Sequence, residues 1–186
     1  MDDGRDQRIQ ELLTRITKAK EERVEAAAED TAQVVVFSRA DQVLALEGDH
    51  VREIAPLGDL TPVPGAPPFV LGLMNLRGEI EAVIDTVVLL ETPVGEAVPE
   101  DAKVILVEAL EIRTGILAEA VLDVAEIPAR EIAPPLHALD RIKREYVKGE
   151  LHRGDRTAVL LNLPGIFQQI FLEDTGLSVE AEGAGG

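Results

Sequence analysis

The chain has 186 residues, of which 46% are apolar and only 3% aromatic, and its formal net charge at neutral pH is -17. This length suits one domain with a sizeable core, or two small barrels that share one. The acidity argues against nucleic acid and direct membrane binding, because it repels phosphate backbones and anionic lipid. The absence of cysteine excludes disulfides, thiolate zinc sites and cysteine nucleophiles.

No apolar run approaches the ~20 residues that a membrane-spanning helix requires. The sequence begins Met1-Asp2-Asp3-Gly4, without the basic and then apolar regions of a secretory signal. These features predict a cytoplasmic protein.

Residues 1–30 are predicted to form an amphipathic helical extension. Their charged, helix-favouring sequence carries a short apolar stripe at helical spacing. The stripe consists of Ile9, Leu12, Leu13 and Ile16. Its shortness favours docking of this helix against the following domain over a dimerising coiled coil, which needs three or four heptads.

Strand patterns begin at Thr31. A first hairpin is predicted from residues 34–37 and 43–46, joined by a polar turn at 39–41. Residues 48–54 are predicted to form a brief helical turn. The proline-rich stretch 56–68 cannot be helical, and we predict an ordered loop there.

That loop is predicted to be held by Leu57, Leu60 and Val63, since a solvated linker does not need apolar anchors. The next strands are predicted at 69–74 and 80–90. Between them, Asn75-Leu76-Arg77-Gly78 has the chemistry of a hairpin turn. Arg77 would lie at the hairpin's end, either as an ordinary solvated arginine or as a residue presented to a partner.

A second break is predicted at 92–101. Beyond it, residues 103–108 and 115–119 form a strand pair, and 121–127 fit a strand or a short helix. A final hairpin is predicted at 146–151 and 158–163, followed by a helix from Pro164 to Leu172. Residues 173–186 are predicted to be a disordered acidic and glycine-rich tail.

Many short strands with frequent turns predict a mainly β fold of barrels or a sandwich. We expect two small barrels within residues 31–172, meeting near 92–101. Histidines 50, 137 and 152 are far apart, and neither a serine-hydrolase elbow nor a phosphate-binding loop occurs. We therefore predict a binding module, with no enzymatic activity, catalytic residue, cofactor or metal site, although a small-molecule-binding or catalytic barrel stays open.

Several segments resemble one family, the CheW-type coupling proteins of chemotaxis-like signalling. The matching segments, in order, are Val51-Arg52-Glu53-Ile54, the run from Leu60 to Gly72, Asn75-Leu76-Arg77-Gly78 and Val83-Ile84-Asp85. Looser similarity extends the match from Val34 to Leu172. The resemblance implies two five-stranded SH3-like barrels around a shared hydrophobic core and no catalysis, and the residue pattern adds an N-terminal and a C-terminal helix.

The resemblance also implies a function. Such adaptors bridge the cytoplasmic tip of a methyl-accepting chemoreceptor to the regulatory domain of a CheA-type histidine kinase, and reach membrane receptor arrays through these partners. Carried over by position, the receptor-binding groove would comprise Val51, Glu53, Gly72, Arg77, Gly78, Gly115 and Val124. Glu53 and Arg77 are similar to a family pair that forms a salt bridge. The kinase-binding surface would lie around Ile80 and Val83.

The sequence departs from the family at four positions. Glu81, Ala82 and Thr86 stand where an apolar residue, a proline and a leucine are usual, and Asn162 replaces a frequent aspartate. An alternative function therefore stays open: a structural scaffold of a non-flagellar pathway that assembles in rings with CheW-like domains, with the N-terminal helix as its partner contact.

Overall fold

The computed structural model describes residues 31–92, 98–135, 141–153 and 156–173. The strands are β1 (Thr31–Arg39), β2 (Gln42–Glu47), β3 (Val51–Pro56), β4 (Val70–Leu76), β5 (Glu79–Ile84), β6 (Lys103–Ala109), β7 (Ile112–Ala118), β8 (Ala120–Pro128), β9 (Ile132–Ala133), β10 (Val147–Arg153) and β11 (Arg156–Leu161). The helices are α1 (Thr86–Leu89), α2 (Arg141–Tyr146) and α3 (Leu163–Phe167), with 3-10 turns at Gly48–His50 and Ala129–Glu131 and a π turn at Gln168–Glu173.

The predictions for residues 1–30 and for the tail beyond residue 173 lie outside the described residues, as does the tip of the final hairpin at 154–155. Within the described ranges, no helix is long and apolar enough to span a bilayer.

The strands form two sheets. One has five strands in the order β3-β6-β7-β5-β4, and the other has six in the order β8-β1-β2-β11-β10-β9. We call the five-stranded sheet the first barrel and the six-stranded sheet the second barrel. The predicted mainly β fold with two SH3-like units is confirmed, and the sixth strand of the second barrel is the two-residue β9 at its edge.

The chain does not complete one barrel before starting the other. After β2 it leaves the second barrel, builds the whole first barrel from β3 to β7, and returns with β8. The predicted break at 92–101 therefore does not separate the barrels, because it lies between β5 and β6 of the first. The prediction rests on the similar layout of the hairpins in the two halves of the chain. Such similarity does not reveal which hairpins share a sheet.

Side-chain alternation divides the apolar residues into three layers. On β1, Val35 and Phe37 face a core shared by both barrels, whereas Val34 and Val36 face the interior of the second barrel. On β6, Ile105 faces the shared core in the same way and its neighbour Val104 faces the first barrel's interior. The period of two along each strand thus produces the predicted shared hydrophobic core.

Two local predictions need correction, and one helix escaped prediction. Only residues 48–50 are helical, and the chain is already strand β3 from Val51. The strand predicted to reach residue 90 ends at Ile84, because the Asp85 side chain accepts a hydrogen bond from the backbone N–H of Val87 and caps α1. Helix α2 was not predicted.

Candidate interaction site

The β4–β5 turn presents Arg77 to solvent. Arg77 and Gly78 both have positive φ, 54° and 94°, the backbone pattern of a type I′ hairpin turn. The Asn75 side chain accepts a hydrogen bond of 2.8 Å from the backbone N–H of Gly78, so the predicted hairpin is confirmed. The Arg77 side chain is 78% exposed.

Arg77 forms an ion pair with Glu53, in which its Nη2 lies 2.6 Å from Glu53 Oε1. Glu53 lies on β3 and Arg77 directly follows β4, and these two strands are the opposite edges of the five-stranded sheet. The pair therefore bridges the seam of the first barrel, by which we mean the gap between β3 and β4.

The proline-rich loop closes the rest of this seam. Thr61 exchanges two backbone hydrogen bonds of 2.8 Å with Leu73 of β4. Leu57 and Leu60 pack against the first barrel's interior, as predicted, but Val63 is 39% exposed, so the prediction that it anchors the loop is wrong. The loop is ordered because backbone pairing and two apolar side chains hold it.

Four of the site residues inferred from the resemblance share one row of register partners across the first barrel. The row runs Glu53, Leu106, Gly115, Val83, Gly72. At Gly115 an added Cβ would lie 2.6 Å from Val104 Cγ1, and at Gly72 it would lie 2.7 Å from the carbonyl oxygen of Thr61. Both glycines are buried and make space for neighbours that approach closely.

Val83 is fully buried in the first barrel's interior. Its predicted place on a kinase-binding surface therefore needs correction, because no partner can touch its side chain in this fold. Ile80, three residues earlier on β5, is 62% exposed. The resemblance supplied both positions, but only Ile80 has a side chain that a partner can contact.

Val51 and Val124 lie on edge strands, β3 of the first barrel and β8 of the second. Val124 is 53% exposed, and its register partner Val35 faces the shared core. Val51 packs partly against that same core. Ile54, which sequence reasoning missed, is 39% exposed and pairs with the core residue Ile105.

All three side chains lie on the strand faces that turn toward the shared core, since Val51 packs against it and the register partners of Ile54 and Val124 belong to it. We call the apolar strip of Val51, Ile54 and Val124 the inter-barrel groove. Strict alternation from Val51 would place Ile54 on the opposite face of β3, and the register shift between Val51 and Glu53 brings it to the core side. The sequence therefore held no signal that identifies Ile54.

A charge network lies on the face of β5 opposite to Ile80. Arg113 of β7 lies 2.6 Å from Glu81 Oε1 and 2.7 Å from Glu79 Oε2. The hydrogen bond that Arg113 donates to Glu79, reinforced by the charge of Glu81, outweighs desolvation and raises the pKa of Arg113. Glu81 itself is only 7% exposed, so this departure from the family is a neutralised carboxylate and not a charge presented to a partner.

The other departures lie inside the fold. The carbonyl of Ala82 accepts a hydrogen bond of 2.9 Å from Thr114 Oγ1. Thr86 is fully buried, and its hydroxyl has no hydrogen-bond partner among the described residues. Asn162 caps α3 by accepting from Gly165 N, and its amide donates to the carbonyl of Glu145 at 2.8 Å.

A buried ion triad links the barrels, and sequence reasoning missed it by assigning Arg39 to a polar turn. Arg39 is 3% exposed at the end of β1. It donates to Asp85 Oδ2 from Nε at 3.0 Å and from Nη2 at 2.7 Å, and to Glu119 Oε1 from Nη1 at 2.7 Å. Burial alone would lower the pKa of Arg39, but hydrogen bonds and charge from the two carboxylates raise it above its ordinary value.

The described residues contain no group of three or more side chains placed to hold a metal ion.

Comparisons with known proteins find similarity over most of the chain. A family model described as CheW-like domain matches residues 33–171. The chain is 31% identical over 136 residues to a chemotaxis protein CheW of Rhizobium meliloti, covering 73% of this chain and 86% of the relative. It is 27% identical over 144 residues to protein FrzA of Myxococcus xanthus, covering 77% of this chain and 89% of the relative.

A solved structure is also similar, the crystal structure of scaffolding protein TtCheW from Thermoanaerobacter tengcongensis. It matches with a TM-score of 0.65 and 29% identity, over 75% of this chain and 94% of that chain. The similarity therefore covers both barrels.

Proposed function

Because the chain belongs to the CheW-like domain family, we propose that it couples the cytoplasmic tip of a methyl-accepting chemoreceptor to the regulatory domain of a CheA-type histidine kinase. Membership of this family makes the protein a chemotaxis-type scaffold or adaptor. In this role it acts in the cytoplasm and reaches receptor arrays at the membrane through its two partners.

The Glu53–Arg77 ion pair carries the proposal for the receptor. An exposed pair contributes only about 0 to 1 kcal/mol to stability, so its arrangement serves the surface more than the fold. Held by Glu53 across the seam, the Arg77 guanidinium keeps a defined place on the first barrel while remaining 78% exposed. Charged and polar groups of a receptor hairpin can meet it there, and the inter-barrel groove offers the apolar contact that an interface centre requires.

Ile80 carries the proposal for the kinase. A large apolar side chain that is 62% exposed gains free energy when a partner covers it. The receptor would then contact the tip of the β4–β5 hairpin and the inter-barrel groove, and the kinase the exposed side chain of Ile80 on β5.

Binding of each partner, measured separately by calorimetry, tests the proposal. We expect Arg77→Ala to weaken the receptor fragment about tenfold, which is about 1.4 kcal/mol, and to leave the kinase domain's affinity unchanged. We expect Ile80→Asp to do the reverse.

Two matched controls lie on the second barrel. Lys148→Ala removes an exposed cation that is also ion-paired, 2.6 Å from Glu47, and Leu122→Asp changes an apolar side chain that is 43% exposed. Both should bind each partner as the unchanged chain does. If the unchanged chain binds neither partner at micromolar concentration, the proposed function is wrong.

A further inference from the structure

The Arg39 triad lies where the chain passes between the barrels. Arg39 ends β1 of the second barrel, and Asp85 directly follows β5 of the first. Glu119 is the single residue between β7 of the first barrel and β8 of the second. The two salt bridges therefore join the barrels at their crossover, and Arg39 and Asp85 are nearly inaccessible to solvent there, with 4% and 1% of their side chains exposed.

Backbone groups of the first barrel position Asp85, and a backbone group of the second barrel positions Glu119. Asp85 Oδ1 accepts from the N–H of Val87, and the Asp85 N–H donates to the carbonyl of Phe69 at 2.8 Å. Glu119 Oε1 also accepts from the N–H of Ala40 at 3.0 Å. The guanidinium is thus fixed between acceptors whose own positions are set by the backbone of both barrels.

Among the described residues, much of the remaining contact between the barrels is the shared core, which is built from aliphatic side chains and Phe37, Tyr146 and Phe167. One backbone hydrogen bond, from the N–H of Glu119 to the carbonyl of Ser38 at 2.8 Å, lies at the same crossover. Apolar burial is non-directional, so it constrains the angle between the barrels less sharply than hydrogen bonds do. A planar guanidinium with three hydrogen bonds to two carboxylates is directional, and the triad therefore adds orientation to the contact that the core provides.

We propose that Arg39, acting through Asp85 and Glu119, is a positioning residue that fixes the angle between the two barrels and so sets the shape of the inter-barrel groove. Val124 follows Glu119 on β8 by five positions, and Val51 and Ile54 lie on the other barrel. A change of angle therefore moves the two sides of the groove against each other. The consequence for receptor binding rests on the proposed function, whereas the angle itself does not.

Variants must separate positioning from stability. Replacing a buried ion pair by apolar residues of similar volume is often neutral for stability. Arg39→Met/Asp85→Asn removes the two buried charges, the asparagine can still cap α1, and the remaining Glu119 carboxylate, which is 24% exposed, can be solvated. Arg39→Lys keeps the charge and loses the planar fork. Asp85→Asn alone is the smallest change. All three leave the surface of the groove intact.

The angle can be measured directly because the chain has no cysteine. Spin labels at Glu79→Cys on β5 and Thr157→Cys on β11 report the distance between the barrels by pulsed electron resonance. We expect one narrow distribution for the otherwise unchanged chain, and a broadened or shifted one for variants that still unfold cooperatively. The same variants without spin labels should bind the receptor fragment about tenfold more weakly, within the usual range of coupling between sites, and the kinase domain as before.

An unchanged distance distribution in folded variants would overturn the proposal. So would a loss of folding in all three variants, because the triad would then be needed for the fold itself. If the distribution changes but the unchanged chain binds no receptor fragment, the positioning role stands and the proposed receptor contact fails.

Discussion

Arg113 holds the buried carboxylate of Glu81 at 2.6 Å, so a charge that looks out of place in the sequence is matched by a cation on the neighbouring strand. The same guanidinium binds Glu79, which is largely exposed. One arginine thus serves two carboxylates, one inside the barrel and one outside it. The departure from the family at position 81 is compensated within the chain, and Ile80 keeps its exposure.

We predict that Arg113→Met lowers the urea unfolding midpoint, because it leaves the Glu81 carboxylate buried without a partner. Arg113→Met/Glu81→Leu should restore the midpoint, since both halves of the pair become apolar. Glu79→Gln is the control, because this side chain is 65% exposed and its loss should leave the midpoint in place. Equal effects of Glu79→Gln and Glu81→Gln would contradict the assignment.

Gly115 and Gly78 are predicted to resist substitution for different reasons. Gly115→Ala places a Cβ 2.6 Å from Val104 Cγ1, and overpacking of this kind destabilises by about 1–3 kcal/mol. Gly78→Ala meets no atom within 4 Å, but its φ of 94° strains an alanine by about 1–3 kcal/mol.

A double-mutant cycle distinguishes the two mechanisms. Val104→Ala should relieve the effect of Gly115→Ala and not that of Gly78→Ala, as measured by chemical unfolding. Additive free energies for Gly115→Ala with Val104→Ala would show that the clash is not the cause.

The hairpin could be predicted from sequence because its determinants are local. Asn75 and Gly78 are three residues apart and contact each other directly. Period-two alternation also placed the strands, and it could have placed Arg39, which shares a face with Val35 and Phe37 of the shared core. The reading of Arg39 as part of a turn ignored that alternation.

The partners of these charged residues could not be predicted. Arg39 contacts Asp85 and Glu119, which lie 46 and 80 positions further along the chain. A single sequence does not say which strands adjoin, so it gave neither these contacts nor the division of the chain between barrels. The burial of Val83 could not be predicted for the same reason, because the residues that cover it include Val104 of β6 and Leu117 of β7.

We predict that Arg39→Ala destabilises the protein by about 3–5 kcal/mol, the usual effect of breaking a buried pair and leaving the other charge unpaired. Arg52→Ala is the control: it breaks a pair with Glu108 at 3.2 Å that is about half exposed, and should change the free energy of unfolding by about 0 to 1 kcal/mol.

The Arg39 contribution should not vary across the neutral pH range. Because the folded-state pKa of Arg39 is raised, the stabilisation is fully present below the ordinary arginine pKa and is lost only as pH rises through the folded value in strong alkali. If Arg39→Ala and Arg52→Ala had equal free energies of unfolding near neutral pH, Arg39 would not act as a buried cation.

Asn162→Asp, which introduces the family's usual residue, is predicted to destabilise this chain by about 1–3 kcal/mol at neutral pH. The carboxylate can still accept from the N–H of Gly165, but it faces the carbonyl oxygen of Glu145, to which the asparagine amide donates at 2.8 Å. Folding then favours the protonated carboxyl, so its folded-state pKa is raised, and the loss should shrink as pH falls and the acid regains a donor. Asn162→Ser keeps a capping oxygen and carries no charge, so its effect should not depend on pH. Unfolding by urea at neutral and mildly acidic pH, each relative to the unchanged chain, measures this difference, and a loss for Asn162→Asp that does not shrink in acid would contradict the assigned contact.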